Sequence, residues 1–311
     1  DYGYLNSDVN NGITFFPGIQ EVPVRIWVKN DAVPENPSTE GFSINLTIGS
    51  NTSPGIGLGS TAQHTFTIYD NDPPPKLSFA QATGSVLEST GSTILEVVRT
   101  GSTAGSASAR IRVLSSGTTA SGDDYSYPSY KTVNFSPGES VKSVDVDIIQ
   151  DELDEIDEII QFQLYYISGA GTESSSILVR DLTITDDDLP PSVEFTSPSS
   201  QNYETTGTPL IYIELDKPSA KDVEVRYTKN ETLGTAANEG PDYVLSYPED
   251  VIIPAGDTLG LPVNFIVQQD GVDESDETVE FELTGATNAT LGTNTEHIYT
   301  IKDYSAFEWN G

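Results

Sequence analysis

Apolar and polar residues alternate along short segments of this chain, and turn residues separate the segments. Val144, Val146 and Ile148 alternate with polar residues, as do Phe162 and Leu164. A period of two predicts half-buried β-strands. Seven such strands are predicted in the middle of the chain, near residues 76–81, 93–99, 107–114, 131–135, 141–149, 159–167 and 176–185. Several short strands divided by turns are typical of an antiparallel sandwich.

The predicted strands recur with a period of about 120 residues. Gly122-Asp123-Asp124-Tyr125 returns as Gly240-Pro241-Asp242-Tyr243, and proline connectors lie at residues 73–75 and 189–191. Prolines stiffen such a short linker. We therefore predict an all-β chain of tandem seven-stranded antiparallel Greek-key sandwiches of immunoglobulin-like type, joined end to end. The first repeat (1–72) is a partial, C-terminal half; the second (73–188) and third (189–304) are complete; 305–311 begin a further element or form a tail.

One acidic motif occurs twice, each time between two predicted strands. Residues 151–158 read DELDEIDE, and residues 270–277 read DGVDESDE. Carboxylates crowded on one loop repel each other unless a cation lies among them, and a flexible site made of oxygens is what Ca²⁺ prefers. Acidic loops are more often solvated charges without an ion, but repetition in register favours the metal. The motif therefore predicts a calcium site on each loop.

Composition narrows the possible partners. The 311 residues include 48 acids and 14 Lys and Arg, a net charge of −34, so the protein's field repels nucleic acids and anionic membranes. Without cysteine there is no disulfide and no thiolate metal site. No apolar run is long enough for a membrane helix. The chain lacks methionine and begins with Asp1, so we expect a piece of a longer extracellular protein, of bacterial origin.

These motifs, in this order, resemble those of the Calx-beta family. The resemblance depends on Gly-x-Asp-Tyr, the Pro137-Gly138-Glu139 turn, Asp-x-x-x-Glu-x-Asp-Glu and the closing Asp-Asp-Asp at 186–188. It implies sandwiches that bind Ca²⁺ at one end, as in sodium/calcium exchangers, an integrin subunit and bacterial adhesins. In the second repeat it implies side-chain ligands and the carbonyl of Leu153: Glu88, Asp124, Asp151, Leu153, Glu155, Glu158, Asp186, Asp187 and Asp188.

The resemblance is weaker at the other two repeats. In the third repeat, Tyr304 and Ser305 replace the last two acids of the closing triplet, so we expect fewer ions or weaker binding there. Its implied ligands are Glu204, Asp242, Asp270, Glu274, Glu277 and Asp303. In the first repeat, Asn71 interrupts the triplet. The acids that remain there are Asp31, Glu35, Glu40, Asp70 and Asp72.

No motif predicts an enzyme. His64 and His297 occupy comparable strand positions in different repeats, which indicates a structural role, and neither a nucleophile elbow nor a phosphate loop occurs. Trp27 lies on an alternating segment and is expected to pack in a core. We expect a calcium-stiffened stalk, filament or adhesin shaft whose partners are adjacent repeats and other surface proteins or glycans. A calcium sensor that reorients its repeats, and a glycan- or protein-binding repeat, remain alternatives.

Overall fold

The computed structural model describes residues 2–4, 12–31, 33–34, 39–49, 54–172, 174–230, 239–245, 250–269 and 271–303. The chain is all-β and forms tandem β-sandwiches, which confirms the predicted fold class. Its strands are β1 (Tyr2–Tyr4), β2 (Ile26–Val28), β3 (Thr39–Asn45), β4 (Gln63–Tyr69), β5 (Lys76–Phe79), β6 (Thr83–Leu87), β7 (Ser92–Thr100), β8 (Ala107–Val113), β9 (Tyr125–Ser126), β10 (Lys131–Phe135), β11 (Val141–Ile148), β12 (Glu158–Ser168), β13 (Val179–Thr185), β14 (Ser192–Phe195), β15 (Ser199–Tyr203), β16 (Ile213–Leu215), β17 (Val223–Asn230), β18 (Tyr243–Leu245), β19 (Asp250–Ile253), β20 (Phe265–Val267), β21 (Glu277–Thr287), β22 (Thr290–Leu291) and β23 (Glu296–Lys302). Single-turn 3₁₀ helices lie at Glu88–Thr90 and Glu204–Thr206.

The second repeat consists of two sheets. One sheet has the order β10-β8-β12-β13-β6 and the other the order β5-β7-β11-β9. The inward positions of both sheets are apolar, so the sandwich encloses one hydrophobic cluster that includes Leu77, Leu95, Ile111, Phe135 and Phe162. Burying these side chains supplies the main stabilisation of the fold.

The first strand of the second repeat divides between the two sheets. Its first part, β5, pairs antiparallel with β7, and its second part, β6, pairs parallel with β13. The 3₁₀ helix at Glu88–Thr90 follows β6 directly and ends at Gly91, whose φ of 76° is the left-handed conformation that glycine adopts without a Cβ penalty. Since β6 and β13 are parallel and Leu87 lies opposite Thr185, their exits lie side by side.

The third repeat has the corresponding arrangement. Its larger sheet has the order β15-β23-β21-β17-β19, and β16-β14-β22 and β18-β20 lie across the core. Phe195, Tyr227, Phe265, Phe281 and Tyr299 are buried in a second hydrophobic cluster. Phe265 contacts Phe281 and Tyr299 edge to face, with ring centroids 5.2 and 5.3 Å apart. As expected, His297 is a structural residue: it is buried, and its ring nitrogens contact Ser200 Oγ and the carbonyl of Ser197.

The described part of the first repeat contains only two strand pairs, β1–β2 and β3–β4. The expectation that Trp27 packs in a core is wrong, because its side chain is 61% exposed. The β1–β2 pair joins no larger sheet among the described residues, so nothing there covers the ring. In the same described ranges, no helix has the length and apolar character needed to span a bilayer.

Candidate calcium centre

Strand pairing brings acids from distant segments to one end of the second repeat. Glu88 follows β6, Asp186 and Asp188 follow β13, and the exits of these parallel strands are adjacent. Glu158 begins β12 and lies opposite Ile184, near the end of β13. Asp124 immediately precedes β9. We call the six acids that meet here the acidic pole; they are Glu88, Asp124, Glu155, Glu158, Asp186 and Asp188.

The acidic pole divides into two triads. Carboxylate oxygens of Glu88, Asp186 and Asp188 all lie within 4.8 Å of one another, and so do those of Asp124, Glu155 and Glu158. Ca²⁺ binds oxygens at about 2.3–2.6 Å, so oxygens on opposite sides of one ion are about 5 Å apart. Each triad therefore has the dimensions of one calcium site that is completed by further oxygens.

Burial and mutual repulsion raise the pKa values of several of these groups. Desolvation, followed by the charges of Asp124 and Asp151, raises the pKa of Glu155 to about 7. Desolvation and a hydrogen bond with Asp124 raise the pKa of Glu158 to about 7. Desolvation is also the first cause of the raised pKa of Glu88. A cation among these oxygens would lower these pKa values, because it favours the charged form of each carboxyl group.

Asp188 follows the same rule: desolvation, then the charge of Asp186, raises the pKa of its carboxyl group. Its Oδ2 is buried and accepts no hydrogen bond from the described part of the chain, and the same is true of Glu158 Oε2. Buried carboxylate oxygens without a donor are costly, and a metal ion satisfies them. The donor set of each triad, made only of carboxylates, thus fits a hard cation such as Ca²⁺.

Backbone amides hold the other oxygens of the acidic pole in place. The amide of Asp151 donates to Glu88 Oε1 at 2.9 Å, and that of Glu155 donates to Asp186 Oδ2 at 3.1 Å. The amide of Ser121 donates to Asp124. These bonds tie the loop of residues 149–157 to both strand exits, so the carboxylates converge although the loop itself is irregular.

The remaining implied ligands of the second repeat lie beside the triads. Asp151 is exposed, and its Oδ1 accepts from the amide of Leu153 at 2.7 Å. Asp187 accepts from the amide of Ser89 at 3.2 Å and from its hydroxyl, so it orders the turn that carries Glu88. Neither Asp151 nor Asp187 belongs to a triad of the described residues. Leu153 is half-buried, and within the described residues its carbonyl has no hydrogen bond that tests its implied role as a ligand.

The third repeat has one comparable triad, formed by Asp242, Glu274 and Glu277, again with oxygens within 4.8 Å. Glu204 and Asp303 line the same cavity as this triad. Glu204 is buried on the second 3₁₀ helix, in the position that corresponds to Glu88. Asp270 lies outside the described residues. Only one triad is found here among the described residues, against two in the second repeat.

The acids of the first repeat form no such triad within the described residues. Asp31 Oδ1 accepts from the amide of Val33 at 3.0 Å, and Asp70 Oδ1 from that of Asp72 at 2.9 Å. Both bonds are local turn contacts that acids make without metal. Glu40 lies on β3 and is exposed. Glu35 lies outside the described residues.

The sequence did not reveal a contact between the second and third repeats. Asp154 is buried, and its Oδ1 accepts from Lys221 Nζ at 2.9 Å while Oδ2 accepts from Ser219 Oγ at 3.1 Å. Lys221 Nζ also lies 3.7 Å from Asp186 Oδ2. Lys217 Nζ donates to the carbonyl of Glu152 at 2.9 Å. We call this contact the junction clamp; it consists of Asp154, Asp186, Lys217, Ser219, Lys221 and the carbonyl of Glu152.

These observations define a class: tandem β-sandwich repeats with clustered carboxylates at one end. The sequence model of the Calx-beta domain matches residues 4–72, 70–182 and 186–306, and the chain belongs to the Calx-beta family.

Curated relatives include much longer proteins. The chain is 34% identical over 175 residues to adhesion G-protein coupled receptor V1 of Danio rerio. The aligned region covers 55% of this chain and 3% of the receptor. It is 28% identical over 195 residues to sodium/calcium exchanger 1 of Canis lupus familiaris. This aligned region covers 57% of this chain and 20% of the exchanger. The chain thus spans a small part of the length of either protein.

Similar solved structures include tandem and single domains. CBD12 from CALX1.2 is 18% identical, with a TM-score of 0.35 and coverage of 72% of this chain and 99% of that one. The apo form of the Calx CBD1 domain is 25% identical, with a TM-score of 0.34 and coverage of 37% of this chain and 100% of that one.

Proposed function

We propose that this chain is a calcium-stiffened extracellular segment of a longer surface protein, a stalk or adhesin shaft without a reaction of its own. The observation that carries the proposal is the acidic pole, where two carboxylate triads include buried oxygens that have no donor among the described residues. Ca²⁺ bound by both triads would join the loop of residues 149–157 to the exits of β6 and β13. Metal removal would leave repelling carboxylates in place of these links.

The position of the acidic pole supports a mechanical role. Asp186 belongs to a triad and also lies beside Lys221 of the third repeat. A metal that fixes Asp186 would therefore fix one side of the junction clamp. Bending between repeats would become harder, as a stalk requires.

Small-angle scattering and thermal unfolding of the whole chain, with calcium and with chelator, test this proposal. We expect a longer maximum dimension or a narrower distance distribution in calcium, together with a higher Tm. Saturation at about 100 times the Kd contributes roughly 2.7 kcal/mol per site. Identical scattering and melting curves in the two conditions would refute the proposal.

A second candidate function is calcium sensing, which the sharing of Asp186 between a triad and Lys221 favours. In that case metal binding would shift the contact between the repeats and report to a neighbouring domain. The calcium Kd distinguishes the two functions. A value near micromolar is expected for a sensor, and about 10⁻⁴–10⁻³ M for an extracellular module that stays filled.

A further inference from the structure

Arginine and tyrosine side chains stack on the outer face of the larger sheet of the second repeat. The guanidinium carbon of Arg110 lies 4.3 Å from the ring centroid of Tyr130 and 5.3 Å from that of Tyr166. The guanidinium carbon of Arg112 lies 4.7 Å from the ring centroid of Tyr165. We call these five residues the arginine–tyrosine platform. It lies on the sheet face, away from the triads.

The platform carries positive charge that the described part of the chain does not neutralise. Neither Arg110 nor Arg112 forms an ion pair with a described residue, although acids outnumber basic residues 48 to 14 in the chain. Arg112 donates from Nε and a terminal nitrogen to Gln163 Oε1, at 2.9 and 2.7 Å, and that acceptor is neutral. Arg110 and Arg112 thus form a local positive patch on the sheet face of a chain whose net charge is −34.

The backbone is strained where it presents one of the rings. Tyr166 has φ of 48°, in the left-handed region, and it lies in a β-bulge between Tyr165 and Ser168. Its side chain is 74% exposed. A bulky residue adopts this conformation at a cost in free energy, and bulges redirect side chains next to functional sites. The bulge here directs an aromatic ring outward beside Arg110.

The third repeat provides an internal comparison. Arg226 of β17 occupies the register position of Arg110 of β8, since each pairs with the edge strand and with the bulged strand of its sheet. Arg226 Nε, however, donates to Asp250 Oδ1 at 2.9 Å, and its partner across the bulge is Gly285. The third repeat thus has the same arginine, with a carboxylate partner.

We propose that the arginine–tyrosine platform binds a carboxylate-bearing polysaccharide. The Arg110 guanidinium contacts two rings and pairs with no carboxylate of the described residues, so its N–H groups can donate to the two oxygens of a ligand carboxylate. Arg110 and Arg112 are two residues apart on one strand, about 7 Å along it, which suits anionic groups that repeat along a polymer.

The exposed rings favour a sugar chain over an acidic peptide. Tyr130 is 43% exposed and Tyr166 is 74% exposed, so both rings offer apolar surface to the C–H faces of pyranose rings. An acidic peptide needs the two guanidinium groups but not a tyrosine held in a strained backbone. Dependence of binding on the Tyr166 ring therefore separates the two ligands.

Calorimetric titration of the full chain with an oligogalacturonate of about ten sugars tests the proposal, in chelator so that no calcium bridges the sugar to the acidic pole. We expect saturable binding that Arg110→Gln and Arg112→Gln each weaken at least tenfold. Arg226→Gln is the matched control and should bind as the unchanged chain does. The fully methyl-esterified oligomer, which has no carboxylates, should bind at least tenfold more weakly.

Tyr166→Gly separates binding from folding, because glycine adopts a φ of 48° without strain. This variant should be at least as stable as the unchanged chain by thermal unfolding, yet bind the oligogalacturonate at least tenfold more weakly. Full binding by Tyr166→Gly, equal binding of polyglutamate, or no binding by the unchanged chain would each overturn the proposal. Since every titration lacks calcium, these outcomes are independent of calcium stiffening.

Discussion

Replacement of Glu158 by Gln should have opposite effects on stability with and without calcium. In the metal-free protein the pKa of Glu158 is raised from 4.5 to about 7. A carboxyl group whose folded-state pKa is raised stabilises the fold below the unfolded pKa, and this contribution is lost as the pH rises through the folded pKa. At pH 8 the charged Glu158 therefore destabilises the metal-free fold.

The size of both effects follows from the site. The shift corresponds to about 3 kcal/mol at about 1.4 kcal/mol per pKa unit, and solvent screening of this partly exposed group reduces it to about 1–2 kcal/mol. Glu158→Gln removes the charge, so at pH 8 in chelator we expect this variant to be more stable by about 1–2 kcal/mol. In saturating calcium it should forfeit most of the roughly 2.7 kcal/mol that one bound ion contributes.

Hydrogen–deuterium exchange of the whole chain is the appropriate assay, because three repeats do not unfold as one two-state unit. Peptides from β12 and β13 report on the second repeat, and peptides from β21 and β23 report on the third. Glu152→Gln is the matched control: Glu152 lies on the same loop, is exposed and belongs to no triad of the described residues. It should change protection little in either condition.

The decisive result is that Glu158→Gln raises stability in chelator and lowers it in calcium. If Glu158→Gln lowers protection of β12 in chelator, the carboxylate is a structural partner in the metal-free fold. If calcium protects this variant as much as the unchanged chain, Glu158 is not a ligand. Either result refutes the assignment of the triad formed by Asp124, Glu155 and Glu158.

Three further predictions concern the same surfaces. Since Glu155 and Glu158 must lose protons to bind metal, calcium affinity should fall about tenfold or more from pH 8 to pH 6, with proton release detectable by calorimetry in buffers of different ionisation enthalpy. Asp242→Asn should remove about one ion from the calorimetric stoichiometry of the whole chain and leave calcium protection of the second repeat unchanged. Lys221→Met leaves Asp154 buried and unpaired, so it should weaken the junction by about 2–3 kcal/mol and broaden the scattering distance distribution, whereas adding Asp154→Asn should restore much of the loss.

The sequence predicted the strands and the loops that carry the acids, because both depend on local patterns. Val144 and Phe162 lie in runs of period two, and the structure buries both. The sequence also predicted that Glu88 and Asp186 lie near each other, but only through the family resemblance. Their contact depends on the parallel pairing of β6 with β13, which local sequence does not specify. The grouping into two triads was likewise beyond local patterns.

The contacts that the sequence missed depend on neighbours far along the chain. Asp154 resembles the other acids of its loop, and nothing local distinguishes it as the partner of Lys221. No glycine or asparagine at position 166 indicates a left-handed conformation in the sequence. The only local signal is that two consecutive tyrosines interrupt the alternation of β12. Trp27 shows the converse failure, since alternation alone does not guarantee a covering sheet.

The junction clamp neutralises only part of the acidic pole. Lys221 lies at the outer side, where its charge reaches Asp154 at 2.9 Å and Asp186 at 3.7 Å. It does not pair with Glu155, whose pKa is raised to about 7 by burial and by other carboxylates. Lys221 thus compensates acids that face the third repeat but not Glu155. On our proposal Ca²⁺ neutralises the remaining part, so its removal should loosen the loop of residues 149–157 and, through Asp154 and Asp186, the contact between the repeats.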